Sequence, residues 1–461
     1  MRGCPRRDCS VRHGTGIQTG ERVVRTAHAP PTVRVFRGPI SCCTSSLHPV
    51  AYTLLFLLYQ ETRRATVTAG IGGCWREPTT NYFLCRKEDY CMAELRIISA
   101  DSHFVEPPTM WAERVDTRFR DRAPHVQKGY KDRPGEWFMC ENLQPVQVAG
   151  FFGSGKSAEE LPEHLRRGFD VAPKSVWDPA ERLKEQDRDG VSAEALYTSM
   201  GMLLFGLDDA ELRSSCFRAF NDWAADYCSY DPKRLIGLGA ITLEDIPAGV
   251  AELQRIAKKG LRGALIWGAP PEDKPYSSPE YDPFWAAAQD LNMPLSLHIL
   301  TGRAGNRFSR RKVLFGYMAL PQAIQLTFAD MVTSGVFERF PRLKIVSAEN
   351  DVSWIPHFLY RIDHAYDRLR HIEGLTLPML PSEYMKRNVW ATFQFETVNA
   401  PFTADTFGVD HIMWSSDYPH TDSPWPRSKE FITESFQNLA PADREKIVAK
   451  NAAQLYGINL S

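Results

Sequence analysis

Ile98-Ser-Ala-Asp101-Ser-His103-Phe-Val-Glu106-Pro107 is the stretch on which the reading of this 461-residue chain turns. Leu95–Ser102 is apolar enough for a buried strand, and it runs out into two ligand-type side chains. No glycine lies between Ile98 and Glu106, so this strand feeds no Gly-rich phosphate loop, the feature an open, doubly wound nucleotide-binding sheet would need. Residues two apart in a strand share a face, so Asp101 and His103 point the same way. At the C-terminal end of a barrel strand that way is into the mouth, where the pair can hold one metal ion. Taken alone, the pair reads more readily as a helix or loop N-cap made by Asp101 beside a surface histidine.

Outward from this strand the chain alternates short β-rich runs with helical ones. The further strand candidates are Ala195–Ser199, Leu235–Ile241, Gly263–Trp267, Pro294–Ile299, Lys344–Ala348, Val389–Phe395 and Ile412–Ser416. Helices are expected at Pro179–Arg188, Asp209–Tyr227, Ile246–Lys259, Pro283–Leu291, Pro321–Phe340, Val352–Leu369, Ala400–Thr406 and Arg427–Leu439, with a closing helix in Pro441–Tyr456. Eight strands alternating with eight helices, many strands apolar on consecutive residues, predict an α/β fold, a (β/α)8 TIM-type barrel. A long insertion after the first strand, about residues 107–176, is expected to form a lid or wall, with a hairpin turning at Arg133-Pro134-Gly135. Within it Gly150, Gly155, Lys156 and Ser157 spell a P-loop string, but Pro162 follows at once, so a Gly-rich lid loop is the preferred reading.

Composition excludes several classes: 55 basic against 56 acidic residues and 43% apolar residues describe neither a disordered chain nor a membrane bundle, and give no reason to expect nucleic acid as a partner. The near-zero balance conceals a split, because residues 1–91 hold 13 basic and 6 acidic groups and leave 42 and 50 to the rest. Seven of the ten cysteines also precede Met92. Their spacings repeat no Cys-x-x-Cys pair, so a zinc module is disfavoured; an Arg-rich mitochondrial targeting peptide is a second reading. The preferred reading is that the working protein starts at Met92, with 1–91 disordered or untranslated and 92–461 forming the barrel. Val50–Tyr59 is too short to span a bilayer, so no membrane association is expected. Cys140, Cys216 and Cys228 read as free thiols of a cytoplasmic protein.

Two more strand ends carry ligand-type residues. His298 ends the run Pro294-Leu-Ser-Leu297, and Asp417 ends Ile412-Met-Trp-Ser-Ser416. One such residue reads as packing, whereas three strand ends converging on one rim point to a site. Asp101, His103, His298 and Asp417 together offer two imidazoles and two carboxylates, a set suited to one divalent ion, Zn or Mn, with a position open for substrate.

The first-strand Asp101-x-His103-x-x-Glu106-Pro107, His298-Ile-Leu-Thr301-Gly302, Trp414-Ser-Ser-Asp417-Tyr-Pro-His420 and Asn451-Ala-Ala-Gln-Leu-Tyr456-Gly457 resemble the amidohydrolase-related (amidohydrolase 2) family. That family includes aminocarboxymuconate-semialdehyde decarboxylase, gamma-resorcylate decarboxylase and lactone-type hydrolases. The resemblance spans Leu95 to Gly457 and implies a barrel with one metal held by the four residues named, a small-molecule substrate and a homodimer. Its decarboxylases usually carry a histidine after the sixth strand; here Ser347-Ala348-Glu349-Asn350-Asp351 has none, which makes Glu349 the candidate for that place. No strand-four lysine occurs in Gly263-Ala-Leu-Ile-Trp267, which disfavours a two-metal site. His420 is a candidate for touching substrate or orienting Asp417, and Glu106 for bonding a ligand histidine or capping the turn at Pro107. His357 and His364 are expected on a solvated helix face, and Trp267, Trp390 and Phe393 in barrel packing or the pocket wall. The expected activity is non-oxidative decarboxylation of a small carboxylated substrate; the alternative is hydrolysis of a lactone, ester or amide, with Asp417 taking the proton from water.

Overall fold

The computed structural model describes residues 96–302, 313–396 and 400–460; the segment before Met92 lies outside the described residues. The strands are β1 (Ile98–His103), β2 (His125–Tyr130), β3 (Arg133–Met139), β4 (Val146–Gln147), β5 (Ala193–Tyr197), β6 (Leu235–Gly237), β7 (Gly239–Ala240), β8 (Ala264–Ile266), β9 (Leu295–His298), β10 (Ile345–Ala348), β11 (Val389–Phe393) and β12 (Ile412–Trp414). β2, β3 and β4 pair antiparallel in a sheet of their own, and the others pair parallel in two sets, β1-β5-β6 and β7-β8-β9-β10-β11-β12.

Both seams between these sets are bonded. Only Leu238 separates β6 from β7, and Leu238 N donates to Leu196 O at 3.1 Å while Gly239 N donates to Gly263 O at 3.0 Å. The strand expected over Leu235–Ile241 therefore hands over from one neighbour to the next. At the other seam Asp417 N donates to Asp101 O at 2.9 Å and His103 N to Tyr418 O at 2.8 Å, which ties β1 to the chain leaving β12. The fold is the (β/α)8 barrel of the sequence reading. Every residue of β1, β5, β9 and β10 is buried, as parallel strands covered on both faces require.

Aspartates start several outer helices. Asp178 accepts from Ala180 N and Glu181 N, Asp209 from Glu211 N and Leu212 N, and Asp245 from Ala248 N, filling donors that the first turn leaves open. The helix expected over Pro321–Phe340 differs most from expectation: it begins at Val313, contains that proline and stops at Thr333. Gly335, in the left-handed region at φ +75°, turns the chain before the separate helix Val336–Arg339. Proline is common in the first turn of a helix, but here Pro321 lies inside one.

The insertion between β1 and the helix Pro179–Asp189 also corrects one expectation. Its hairpin turns at Lys131-Asp132, both at positive φ (47° and 61°), with Tyr130 opposite Arg133. Arg133-Pro134-Gly135 lies inside β3 instead; the primed turn matches strand twist better than a Pro-Gly turn, even without the usual Asn-Gly. The Gly150–Ser157 string follows a two-residue strand and begins inside a 3-10 turn, Val148–Phe152. Ser157 and Glu160 cap each other across the start of the helix Leu161–His164, so Ser157 is engaged in a capping box. Ser154 N donates to Pro419 O at 3.0 Å, which seats this loop on the chain after β12.

Candidate metal centre

The barrel rim gathers Asp101 and His103 at the end of β1, His298 at the end of β9, Glu349 just past β10, and Asp417 and His420 past β12. His103 Nε2 stands 3.4 Å from Asp101 Oδ1 and 3.1 Å from Asp417 Oδ1. His298 Nε2 stands 3.6 Å from Asp101 Oδ1 and 3.4 Å from Glu349 Oε2. Asp101, His103 and His298 are fully buried, and Asp417 is 1% exposed.

Local bonding explains why these side chains face one another. A break in the β1–β5 register between Ser99 and Ser102 bulges the strand at Ala100 and Asp101. Ser99 Oγ donates to Asp101 O at 2.8 Å, and Ser416 N donates to Ser99 Oγ at 2.9 Å, which fixes the bulge against β12's end. Asp417 and Glu349 hold left-handed backbone at φ 54° and 53°, a conformation costing a non-glycine residue of order 1–3 kcal/mol and found where a site requires it. The Asp417 N bond to Asp101 O, and the His420 N bond to Asp417 O at 2.9 Å, hold it there.

The histidine tautomers follow from their other nitrogens. His103 Nδ1 lies 3.1 Å from Thr198 O and His298 Nδ1 3.0 Å from Ile299 O; only a protonated Nδ1 can bond a carbonyl, which leaves Nε2 of each ring as the nitrogen that would bind a metal ion. This is the second-partner arrangement that orients imidazole ligands on metals. His103 Nε2, His298 Nε2, Asp101 Oδ1 and both carboxylate oxygens of Asp417 are buried without a hydrogen-bond partner of good geometry. Buried polar atoms are normally satisfied, and here ligand atoms of Asp101, His103 and His298 lie within 4.8 Å of one another, as do those of His103, Glu349, Asp417 and His420, two overlapping groups that share His103 and could hold a divalent cation. Two nitrogen and two carboxylate ligands suit one ion of the zinc or manganese type.

Without a cation the charges compensate one another. Burial alone would depress His103, but Asp101 and Asp417 hold its pKa up to about 10. Burial pushes Asp101 up, yet His298 and His103 keep its carboxyl well below the usual carboxylate range. Asp417 is likewise held low against burial by His420 and His103. Glu349 is raised well above the usual range by burial and by the negative charge of Asp417.

His420 Nδ1 lies 3.0 Å from Asp417 Oδ1, and its ring stacks on His103 with centroids 4.0 Å apart. Its Nε2 meets Ser199 Oγ at 3.0 Å, a partner the sequence reading missed because Ser199 sits past a strand without ligand-like spacing. Thr392 Oγ1 was also missed: it donates to Asp101 Oδ2 at 3.2 Å and accepts from Glu349 N at 2.9 Å, so it bridges two site residues from β11. Glu106 fills neither role expected of it. Fully buried, it accepts from Thr198 Oγ1, from Met200 N at 3.0 Å and from Gly201 N at 3.4 Å, and so anchors the loop after β5. Trp267 and Phe393 are fully buried in packing, and His357 and His364 are solvent-exposed.

The amidohydrolase family profile matches residues 101–458, more than three quarters of the chain. The chain belongs to the amidohydrolase family. Among its relatives, the 2-amino-3-carboxymuconate-6-semialdehyde decarboxylase of Dictyostelium discoideum is 24% identical, over 62% of this chain and 78% of that protein. The gamma-resorcylate decarboxylase of Polaromonas sp. is 26% identical, over 65% of this chain and 92% of that protein. The crystal structure of a dihydroxybenzoic acid decarboxylase from Polaromonas sp., with bound manganese and 2-nitroresorcinol, superposes with a TM-score of 0.56 at 21% identity, covering 79% of this chain and 98% of that one. With its donor cluster, this member of the family is a metal-dependent enzyme.

Proposed function

We propose that this amidohydrolase is a non-oxidative decarboxylase of a small carboxylated substrate, with Asp101, His103, His298 and Asp417 as ligands of one zinc or manganese ion. The buried, unpartnered donor atoms of those four residues, with His103 common to both groups of ligand atoms at the rim, support the ligand set, and the activities named for its relatives support the reaction. A bound divalent ion would supply a Lewis acid that neutralises charge on a substrate carboxylate or adjacent oxygen. Loss of CO2 from a carboxylate leaves an electron pair on carbon, so one proton must be delivered to that carbon. Glu349 and His420, whose ligand atoms lie within 4.8 Å of one another and of those of His103 and Asp417, are our candidates to hold and hand over that proton. Asp417 orients His420 through its Nδ1. Glu349, 17% exposed at its side chain, is our candidate for the place of the histidine that decarboxylases of this family usually carry.

Product analysis over a panel of aromatic and unsaturated acids tests the reaction. One CO2 and one solvent-derived C–H hydrogen per turnover are expected; incorporation of solvent oxygen without CO2 would establish the hydrolytic reading instead. We also propose a homodimer, supported by Met318 and Leu326, which are 70% and 73% exposed on the helix Val313–Thr333. A reducing compartment is supported by three buried thiols, Cys140, Cys216 and Cys228, none in a disulfide. Among the described residues no helix is long and apolar enough to cross a membrane.

A further inference from the structure

The helix Pro179–Asp189 turns a polar face to the barrel, with Arg182, Gln186 and Asp189 exposed by 0%, 2% and 4%. Arg182 is wholly enclosed and almost saturated. Its Nε donates to Glu194 Oε2 at 2.7 Å and Nη2 to Glu194 Oε1 at 3.0 Å, a bidentate pair with a strand residue of β5. The other direction of the guanidinium faces the metal cluster's backbone. Nη1 donates to His103 O at 2.8 Å and Nη2 donates to Tyr418 O at 3.2 Å. Gln186 Nε2 donates to Glu194 Oε2 at 2.6 Å and steadies the carboxylate. The Tyr418 ring lies 4.7 Å from the guanidinium carbon, and its hydroxyl meets Ser175 Oγ at 2.7 Å.

These contacts sit at the seam where the barrel closes. Tyr418 O also accepts from His103 N, so one carbonyl joins the end of β1 to the residue following Asp417, and Arg182 grips it from outside. We infer that Arg182, backed by Glu194, is a positioning residue for the metal site: it fixes the backbone carrying His103 and Asp417 so that their donor atoms converge. This rests on the ligand set proposed above. A purely stabilising ion pair would be poorly explained by this geometry, because a buried pair is often replaceable by apolar groups without loss of stability, whereas no apolar side chain could hold two carbonyls. Lysine has three donors on a point charge and cannot reproduce the planar fork that reaches two carboxylate oxygens and two carbonyls together.

The test uses the full-length chain, with zinc affinity measured by competition against a chromophoric chelator and the visible spectrum recorded after cobalt loading. Arg182→Lys keeps the charge beside Glu194. The double variant Arg182→Met with Glu194→Met removes both charges, so that no buried ion is left alone if the single change prevents folding. Both are expected to bind zinc about 10–100-fold more weakly, as is usual when a group orienting a ligand is lost, and to show an altered cobalt spectrum. If folded variants keep wild-type zinc affinity and cobalt spectrum while melting at lower temperature, Arg182 is merely structural and the inference is overturned. Absence of stoichiometric metal in the wild type, or its retention in both Asp417→Ala and His298→Ala, overturns the ligand assignment itself and this inference with it.

Discussion

Replacing Asp189 with asparagine should make the protein more stable at neutral pH and leave it unchanged in acid. Asp189 is 4% exposed, and burial, with Glu194 and Glu430 nearby, raises its pKa from 3.8 to about 6 although Ser428 N donates to it at 2.8 Å. Between these two values the unfolded chain has released the proton that the folded chain still holds. Stability therefore falls as pH rises through that window, and the full penalty applies above about pH 6. A shift of about two units, at about 1.4 kcal/mol each, gives a penalty of about 3 kcal/mol. With an unfolding entropy of about 2.1 cal/mol/K per residue over roughly 350 described residues, that is about 4 °C in Tm. The asparagine side chain would keep an Oδ1 acceptor for Ser428 N without the charge. Melting curves of both proteins from pH 3.5 to 8 provide the assay: the two Tm values should coincide near pH 3.5 and diverge by about 4 °C above pH 6.5, the variant higher. A difference independent of pH, or a variant less stable at pH 7.5, would refute the reasoning.

The site makes its own predictions. Glu349→Gln preserves size but removes a transferable proton, so it should lower kcat about 10²–10⁴-fold while metal content by elemental analysis stays at the wild-type level; loss of metal would instead make Glu349 a ligand. His420→Gln should do the same with a weaker effect on KM than on kcat, because the ring that Asp417 and Ser199 contact would lose its role in proton transfer; wild-type turnover would exclude His420 from proton transfer. In the insertion, Asp132→Gly places glycine at φ 61° in the Lys131-Asp132 turn and should stabilise by about 0.5–1 kcal/mol in chemical denaturation; destabilisation would count against the turn assignment.

The sequence alone determined the barrel and pointed to the ligand-type residues at its strand ends. Strand identity was legible because buried parallel strands are apolar throughout, and Asp101, His103, His298 and Asp417 stood out because each ends such a run, where a polar side chain needs a reason. Only the tertiary structure decided how those donors are held. The bulge at Asp101, the left-handed Asp417 and the contact between β1 and the end of β12 depend on strands more than 300 residues apart, which no local pattern records. Arg182, Gln186 and Asp189 illustrate the limit most clearly. Their spacing reads as the wet face of a helix, yet that face is buried, because Glu194, two backbone carbonyls and Ser428 N satisfy its polar groups from other elements. Burial of polar groups is set by partners, and partners distant in sequence are supplied only by the fold.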